Sequence, residues 1–329
     1  MFFIYFCLMN TLGHIFRLTT FGESHGTAIG GVIDGCPSKL KLDFGFIDSE
    51  LLRRKTAQDS TASQRHEADQ IEWLSGLLDG VALGTPIAFM VRNEDAKSAD
   101  YEALKDIYRP SHADFTYGQK YGIRDWHGGG RASARTTLPI VVAGAIAKQI
   151  LKGHGIQIVG KVTEMGDVDQ ARKEGDSVGG IVECSIKGVP AGLGEPMFGK
   201  FSAELASVMF SLPAVKGFEV GDGFALSKMK GSEANDTFIN KDGKITTVTN
   251  HSGGIQGGIT NGNDVVFRVA FKPIPSIAQP QQTVNRAGET CEIAIGGRHD
   301  VCALPRAVVL VEALAAMVTL DMQMLAQAL

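Results

Sequence analysis

Gly22-Glu23-Ser24-His25-Gly26 places a carboxylate, a hydroxyl and an imidazole on consecutive residues between two glycines. Glycine lets a backbone approach a ligand closely, and the three polar side chains between the glycines can exchange protons with that ligand. A polar turn with an ordinary histidine has the same composition. The segment is therefore a candidate acid–base site, and the interpretation depends on whether similar segments occur elsewhere in the chain.

A second candidate segment, Arg109-Pro-Ser-His-Ala-Asp114, sets a histidine between a cation and a carboxylate. Asp114 would offset the cost of charging the ring. The segment therefore predicts that His112 is held protonated and donates to a leaving oxygen. An exposed turn with an ordinary histidine is the alternative.

Three further segments are candidate anion sites. Gly128-Gly-Gly-Arg-Ala-Ser-Ala-Arg135 enters an apolar helical run, so its N–H groups, with both arginines on one helical face, favour phosphate. Gly296-Gly-Arg-His-Asp300 precedes a similar run, and its aspartate is either an ion-paired loop acid or a proton acceptor. Arg53-Arg54-Lys55 ends a predicted amphipathic helix near 48–54 and is either a solvated face or a binding site for an acidic substrate.

The elements that must position these segments form two similar halves. Apolar helical runs cover 133–152 and 306–328, and short β-like segments such as 82–92 and 265–271 precede them. Because both helices are apolar nearly all round, we expect layers on both of their faces. The pattern predicts an α+β fold, a β-α-β sandwich with central long apolar helices between antiparallel sheets and pseudo-two-fold halves.

Composition narrows the functional class. The chain has 329 residues, of which 44% are hydrophobic and 21% are charged, so it can bury a large core. We expect an apolar extension over 1–9 and one catalytic domain over 10–329. A net charge of -4 disfavours nucleic-acid binding, and the apolar run at 2–8 is too short to span a bilayer. Five dispersed cysteines favour a reducing cytoplasm and no zinc site. The sequence also lacks P-loop, Rossmann and His-x-x-x-His motifs.

Taken together with Gly188-Val-Pro-Ala-Gly-Leu-Gly-Glu-Pro196, these segments resemble the chorismate synthase family, in the same order from about Asn10 onward. The resemblance implies a lyase that removes phosphate and a ring proton from 5-enolpyruvylshikimate 3-phosphate by a 1,4-elimination, with reduced FMN and no net redox change. It also implies a cytoplasmic homotetramer whose flavin is reduced by an external system, and an association with NADP.

The resemblance further implies roles for individual residues. His112 would protonate the departing phosphate, His25 would hold the flavin's charge state, and Asp300 would help to pass the ring proton. Arg54 and Arg135 would bind substrate anions. FMN binding would fall on Arg131, Ala132, Ser133, Pro213, Ala214, Gly257, Lys272, Pro273, Ile274, Pro275, Ser276 and Arg298.

The sequence departs from the family pattern at several positions. Ala57 stands where the family has glycine, Ser60 where a basic residue is common, Ala132 in place of serine and Thr136 in place of glutamate. The segment 165–177 is also shorter than usual, which predicts that a peripheral helix is absent. An FMN-binding relative with weakened or lost activity is therefore the alternative, and a nicotinamide-dependent flavin oxidoreductase has no supporting motif.

Overall fold

The computed structural model describes residues 9–55, 69–93, 102, 104–295 and 300–328. Its helices are α1 Phe44–Lys55, α2 Asp114–Tyr121, α3 Leu138–Gly153, α4 Val168–Glu174, α5 Phe201–Met209, α6 Gly231–Ala234 and α7 Leu304–Ala328. Its strands are β1 Thr11–Leu12, β2 Arg17–Phe21, β3 Ala28–Asp34, β4 Glu72–Trp73, β5 Leu77–Leu78, β6 Val81–Ala82, β7 Ile87–Arg92, β8 Gln157–Met165, β9 Gly180–Lys187, β10 Val215–Val220, β11 Phe238–Lys241, β12 Lys244–Thr247, β13 Ile255–Gln256, β14 Ile259–Thr260, β15 Val265–Phe271, β16 Gln281–Val284 and β17 Thr290–Ile293.

Two antiparallel sheets carry most of the strand residues. One has the order β1-β2-β3-β7-β4 and the other the order β10-β15-β9-β8. The predicted strand at 265–271 is β15, which alternates buried and half-buried residues along its whole length. The predicted strand at 82–92 is instead two strands, because Gly84-Thr85-Pro86 forms a turn between β6 and β7.

The two long apolar runs are helices α3 and α7, which pack against each other. α3 begins at Leu138 rather than 133, because Ala134–Thr137 forms a 3₁₀ turn, and Pro139 lies in the first helical turn. α3 contacts β2 and β3 of the first sheet and also β8 of the second, whereas α7 packs mainly on β8 and β9. The mixed α+β prediction is confirmed.

Helix α7 is long and apolar enough to cross a membrane by length and composition alone. However, 83% of its most apolar window is buried inside the fold, so α7 is the core helix of the domain. The short segment 165–177 carries the seven-residue helix α4, with Asp167 at its N-cap and Gly175 in the left-handed region at its C-cap.

Gly144 sets the distance between α3 and α7. A Cβ added there would lie 2.3 Å from the Cβ of Ala313 and 2.4 Å from its Cα, and neither atom can move without shifting α7. We expect Gly144→Val to destabilise the fold by roughly 3 kcal/mol through overpacking. Gly153→Ala is the matched control, since its new Cβ would meet nothing within 4 Å and should leave stability unchanged or slightly raised. A Tm for Gly144→Val equal to that of Gly153→Ala would contradict this packing.

A buried ion network joins α1, α3, α7 and β8. Glu312 on α7 accepts two hydrogen bonds from Arg53, at 2.7 and 3.0 Å, one from Lys148 at 2.6 Å and one from the Gly160 N–H at 2.8 Å. Glu50 bonds the same two cations. Burial opposes ionisation of Glu312, yet Arg53 and Lys148 hold its pKa below the ordinary 4.5.

Glu312→Gln should cost about 3 kcal/mol of stability, because it leaves Arg53 and Lys148 partly unpaired at a buried site. The contribution of Glu312 is fully present above about pH 4.5 and is lost as pH falls through the lower pKa of the folded state. Denaturant melts at pH 7 and pH 3 measure both effects. The exposed pair of Asp169 and Arg172 supplies the control Asp169→Asn, and equal losses in the two variants would refute a special role for Glu312.

Candidate active site

The turn that carries His25 packs directly on the glycine-rich segment 128–130. The Ser24 N–H donates to the Gly130 carbonyl at 3.3 Å, and the Ser24 hydroxyl lies 3.1 Å from Nδ1 of His25. Gly128 has φ +72°, and a Cβ on it would lie 2.4 Å from both Nδ1 and Cε1 of the imidazole. Only glycine therefore permits this contact, and the segments 22–26 and 128–135 form one site.

Arg131 and Arg135 do not share a helical face, contrary to the sequence prediction. The segment forms 3₁₀ turns at Gly130–Ala132 and Ala134–Thr137, separated by Ser133 in an extended conformation. The Arg131 guanidinium donates to the Thr20 hydroxyl at 2.7 Å, whereas the Arg135 guanidinium donates to Asn93 Oδ1 at 3.1 Å and to Asp69. The prediction was wrong because the tighter turn rotates the two side chains apart.

The two predicted substrate-binding arginines meet at a buried carboxylate. Asp69 accepts from Arg54 Nη2 at 2.8 Å through one oxygen and from Arg135 Nη1 through the other. Burial opposes ionisation of Asp69, but Arg54 and Arg135 together lower its pKa. Burial also lowers the pKa of Arg54, and the charges of Arg135 and Arg306 act in the same direction against Asp69.

The arginine cluster, which consists of Arg54, Arg135 and Asp69, holds more positive than negative charge. One carboxylate, Asp69, lies between two guanidiniums that keep their protons at any physiological pH, and Arg54 Nε is buried without a hydrogen-bond partner among the described residues. An orphaned buried donor is costly unless a ligand accepts from it. The cluster therefore fits an anionic group.

The His112 ring contacts residues from both halves of the chain. Its Nδ1 is 3.0 Å from the Pro110 carbonyl and its Nε2 is 3.0 Å from the Ser276 hydroxyl. A carbonyl only accepts, so Nδ1 carries the proton and the neutral ring accepts from Ser276 at Nε2. Lys272 Nζ also donates to the Ser111 carbonyl at 3.2 Å, so both ends of the segment 272–276 contact this loop.

The prediction that Asp114 keeps His112 protonated was wrong. Both oxygens of Asp114 accept from Arg109, and Arg124 forms a second ion pair with it at 2.6 Å. Burial and the nearby charge of Arg109 lower the pKa of His112 below its ordinary 6.5, and they outweigh the contribution of Asp114. The ring is therefore mainly neutral near pH 7 in the ligand-free protein, and an anion beside it would raise its pKa.

The residues predicted to hold a cofactor are only partly brought together. The Lys272 N–H donates to the Ala214 carbonyl at 2.9 Å, which joins Pro213-Ala214 to the segment 272–276. Ala214 has φ +70°, a conformation that costs a non-glycine residue strain. Gly257 lies in the turn between β13 and β14, and a Cβ there would meet nothing within 4 Å. Arg298 lies outside the described residues, as do Ala57 and Ser60.

Asp300 is ion-paired. Its carboxylate accepts from Arg306 Nη1 at 2.9 Å, and both side chains are largely buried. The charge of Arg306 contributes to lowering the pKa of Arg54, so Arg306 links Asp300 electrostatically to the arginine cluster. Thr136, which departs from the family pattern, donates from Oγ1 to the Arg131 and Ser133 carbonyls and so stabilises the 3₁₀ turn.

Sequence reasoning missed three residues that organise this site: Asp69, Asn93 and Arg306. Asn93 is the first residue after the apolar strand β7, and Arg306 is the only charged residue in the first turns of α7. A polar residue at the end of an apolar element was the available signal for both. Asp69 stands in a polar stretch of sequence with no such contrast.

Comparisons with known proteins identify the family of this chain. A family model described as chorismate synthase matches residues 16–170 and 165–324. The chorismate synthase of Porphyromonas gingivalis is 52% identical over 342 residues, which is 93% of each chain, and that of Azobacteroides pseudotrichonymphae is 49% identical over 95% of this chain and 98% of the relative. A crystal structure of a chorismate synthase matches with a TM-score of 0.74 and 29% identity, over 94% of this chain and 92% of that chain. The chain therefore belongs to the chorismate synthase family, the lyases of the shikimate pathway that form chorismate.

Proposed function

We propose that this chain converts 5-enolpyruvylshikimate 3-phosphate to chorismate and phosphate at the site between His25, His112 and the arginine cluster. The observation that carries the proposal is the buried pair of Arg54 and Arg135 around Asp69. Guanidiniums bind carboxylate and phosphate with two parallel hydrogen bonds, and the substrate carries both groups. The arginine cluster therefore orients a small anionic substrate beside the His25 turn.

We propose reduced FMN as the cofactor, held by Arg131, Ala132, Ser133, Pro213, Ala214, Gly257, Arg298 and the segment 272–276. The described members of this set fit such a group, since Arg131 and Lys272 are cationic donors, Ser133 and Ser276 carry hydroxyls, and Gly257 leaves open space for close approach. When bound, reduced FMN supplies electron density to the substrate and takes it back, so no net redox change results.

The contacts of the two histidines favour exchanging the roles that the family resemblance implied. His112 bonds Ser276 and its loop bonds Lys272, both on the proposed cofactor side. The turn that carries His25 is joined to Arg135, on the proposed substrate side, through the side-chain amide of Asn93. We therefore assign proton transfer to the departing phosphate to His25, and the control of charge beside the cofactor to His112.

Asp300 completes the proposed proton path. Its ion pair with Arg306 holds the carboxylate at the N-terminal end of α7. A carboxylate fixed in this way can accept the ring proton once the substrate is bound.

We also propose that the chain is a cytoplasmic homotetramer with the sandwich arrangement of the family, and that a separate system reduces its flavin. The packing of the α3–α7 pair against strands of both large sheets supports the sandwich. Exposed apolar side chains such as Phe198, Phe224 and Phe238, which are 87%, 78% and 60% exposed, support contacts between subunits.

The proposed activity is tested by anaerobic incubation with the substrate and chemically reduced FMN. Chorismate should form with reduced FMN, and neither oxidised FMN nor a reduced nicotinamide alone should replace it. Flavin binding without product would identify an inactive relative, and steady nicotinamide consumption coupled to the substrate would identify an oxidoreductase.

A further inference from the structure

Asn93 joins the arginine cluster to the His25 turn through its side-chain amide. Its Oδ1 accepts from Arg135 Nε at 3.1 Å, and its Nδ2 donates to the carbonyls of Glu23 at 3.1 Å and Gly26 at 2.7 Å. The guanidinium only donates and the carbonyls only accept, so the orientation of the amide is unambiguous. The side chain uses both of its N–H groups and its oxygen across two separate segments.

We propose that Asn93 is a positioning residue that couples substrate binding at Arg135 to the orientation of His25. This inference rests on the proposed function, in which Arg135 binds a substrate anion and His25 moves a proton. The two carbonyls that Asn93 holds bracket Ser24 and His25, so the amide fixes both ends of the catalytic turn.

The backbone of Asn93 makes the position rigid. Its N–H donates to the Thr27 carbonyl at 3.1 Å, and the residue directly follows β7, which pairs with β3 in the first sheet. Both Arg135 and the His25 turn are therefore held by one residue at the end of β7. A shift of the guanidinium on binding an anion reaches the turn through the amide oxygen and its two N–H groups.

Two substitutions separate this role from a general contribution to stability. Asn93→Ala removes the bonds to both partners. Asn93→Asp keeps an acceptor for Arg135 but places an acidic oxygen against the two carbonyls. We expect Asn93→Ala to raise KM and to lower kcat, whereas Asn93→Asp should lower kcat at least ~10-fold with KM within about threefold of wild type.

Asn240→Ala is the matched control. Asn240 also holds a turn, through a bond from the Gly243 N–H to its Oδ1 at 2.9 Å, but it lies in the exposed β11–β12 hairpin. The control should keep wild-type kcat and KM. A kcat for Asn93→Asp within twofold of the control, in protein with wild-type circular dichroism, would overturn the proposal.

A second readout does not depend on turnover. Addition of 5-enolpyruvylshikimate 3-phosphate to flavin-free protein should shift the His25 imidazole resonance, identified by its absence in His25→Ala. The shift should persist in Asn240→Ala and fall by at least half in Asn93→Asp at saturating substrate. A full shift in Asn93→Asp, or no shift in the wild type, would overturn the coupling. Wild-type protein that shows the shift but forms no chorismate would reject the proposed function and retain the role of Asn93.

Discussion

Alanine at His25 or at His112 is expected to lower kcat by about 10²–10⁴, the usual contribution of a positioned acid or base. The two variants should differ in which ligand they bind less tightly. His112 contacts Ser276 and its loop contacts Lys272, so its removal should weaken FMN binding. The turn that carries His25 is joined to Arg135 on the proposed substrate side through Asn93, so removal of His25 should weaken FMN binding less than removal of His112.

The measurement combines steady-state turnover with titration of FMN against each variant. His154→Ala is the control, because His154 lies exposed at the end of α3 and should affect neither quantity. Ser276→Ala should lower kcat less than His112→Ala, since it removes only the donor to Nε2. Undiminished turnover in His112→Ala would remove this residue from the mechanism, and weaker FMN binding in His25→Ala alone would reverse the assigned roles.

Replacement of Arg135 by alanine should lower kcat/KM by about 30- to 5,000-fold, corresponding to the roughly 2–5 kcal/mol lost when one partner of a buried charge pair is removed. The variant loses a proposed substrate ligand. Of the two arginines that bond Asp69, only Arg54 remains. Asn93 also loses the donor to its oxygen. We expect a large rise in KM with an additional fall in kcat.

Two further variants, Arg135→Lys and Arg92→Ala, test whether the loss is specific to the Arg135 guanidinium. Lysine retains the charge without the two-pronged geometry and should recover only part of the loss. Arg92 is the neighbour of Asn93 and forms an exposed ion pair with Glu72, so its removal should leave kcat/KM near the wild-type value. Equal effects of Arg135→Ala and Arg92→Ala would exclude a substrate-binding role for Arg135.

The apolar periodicity of the sequence predicted the core elements well, because the buried residues of a helix or strand recur with the period of that element. β15 has the predicted bounds, and α7 begins two residues before the predicted run. The start of α3 was placed too early, since Ser133 and Thr136 form local hydrogen bonds that favour 3₁₀ turns and carry no apolar signal.

Residue types in each segment were a useful guide to the candidate site. Proximity in sequence was a poor guide to which of those residues pair with each other. Asp114 stands two residues from His112 in sequence, but Arg109 and Arg124 hold its carboxylate. Arg54 and Arg135 are 81 residues apart and meet at Asp69, a contact that only the folded chain creates. Competition among several cations for one buried carboxylate is a property of the packed site and cannot be read from neighbouring residues.

The most direct test of the account is an anaerobic assay of the wild-type protein with photoreduced FMN and excess 5-enolpyruvylshikimate 3-phosphate. Chorismate, phosphate and the flavin spectrum are followed together over many turnovers. If the proposed function is correct, chorismate and phosphate form in equal molar amounts, each far exceeding the amount of flavin, while the flavin stays reduced. Flavin that is oxidised in step with substrate consumption, or that binds without any release of phosphate, would contradict it.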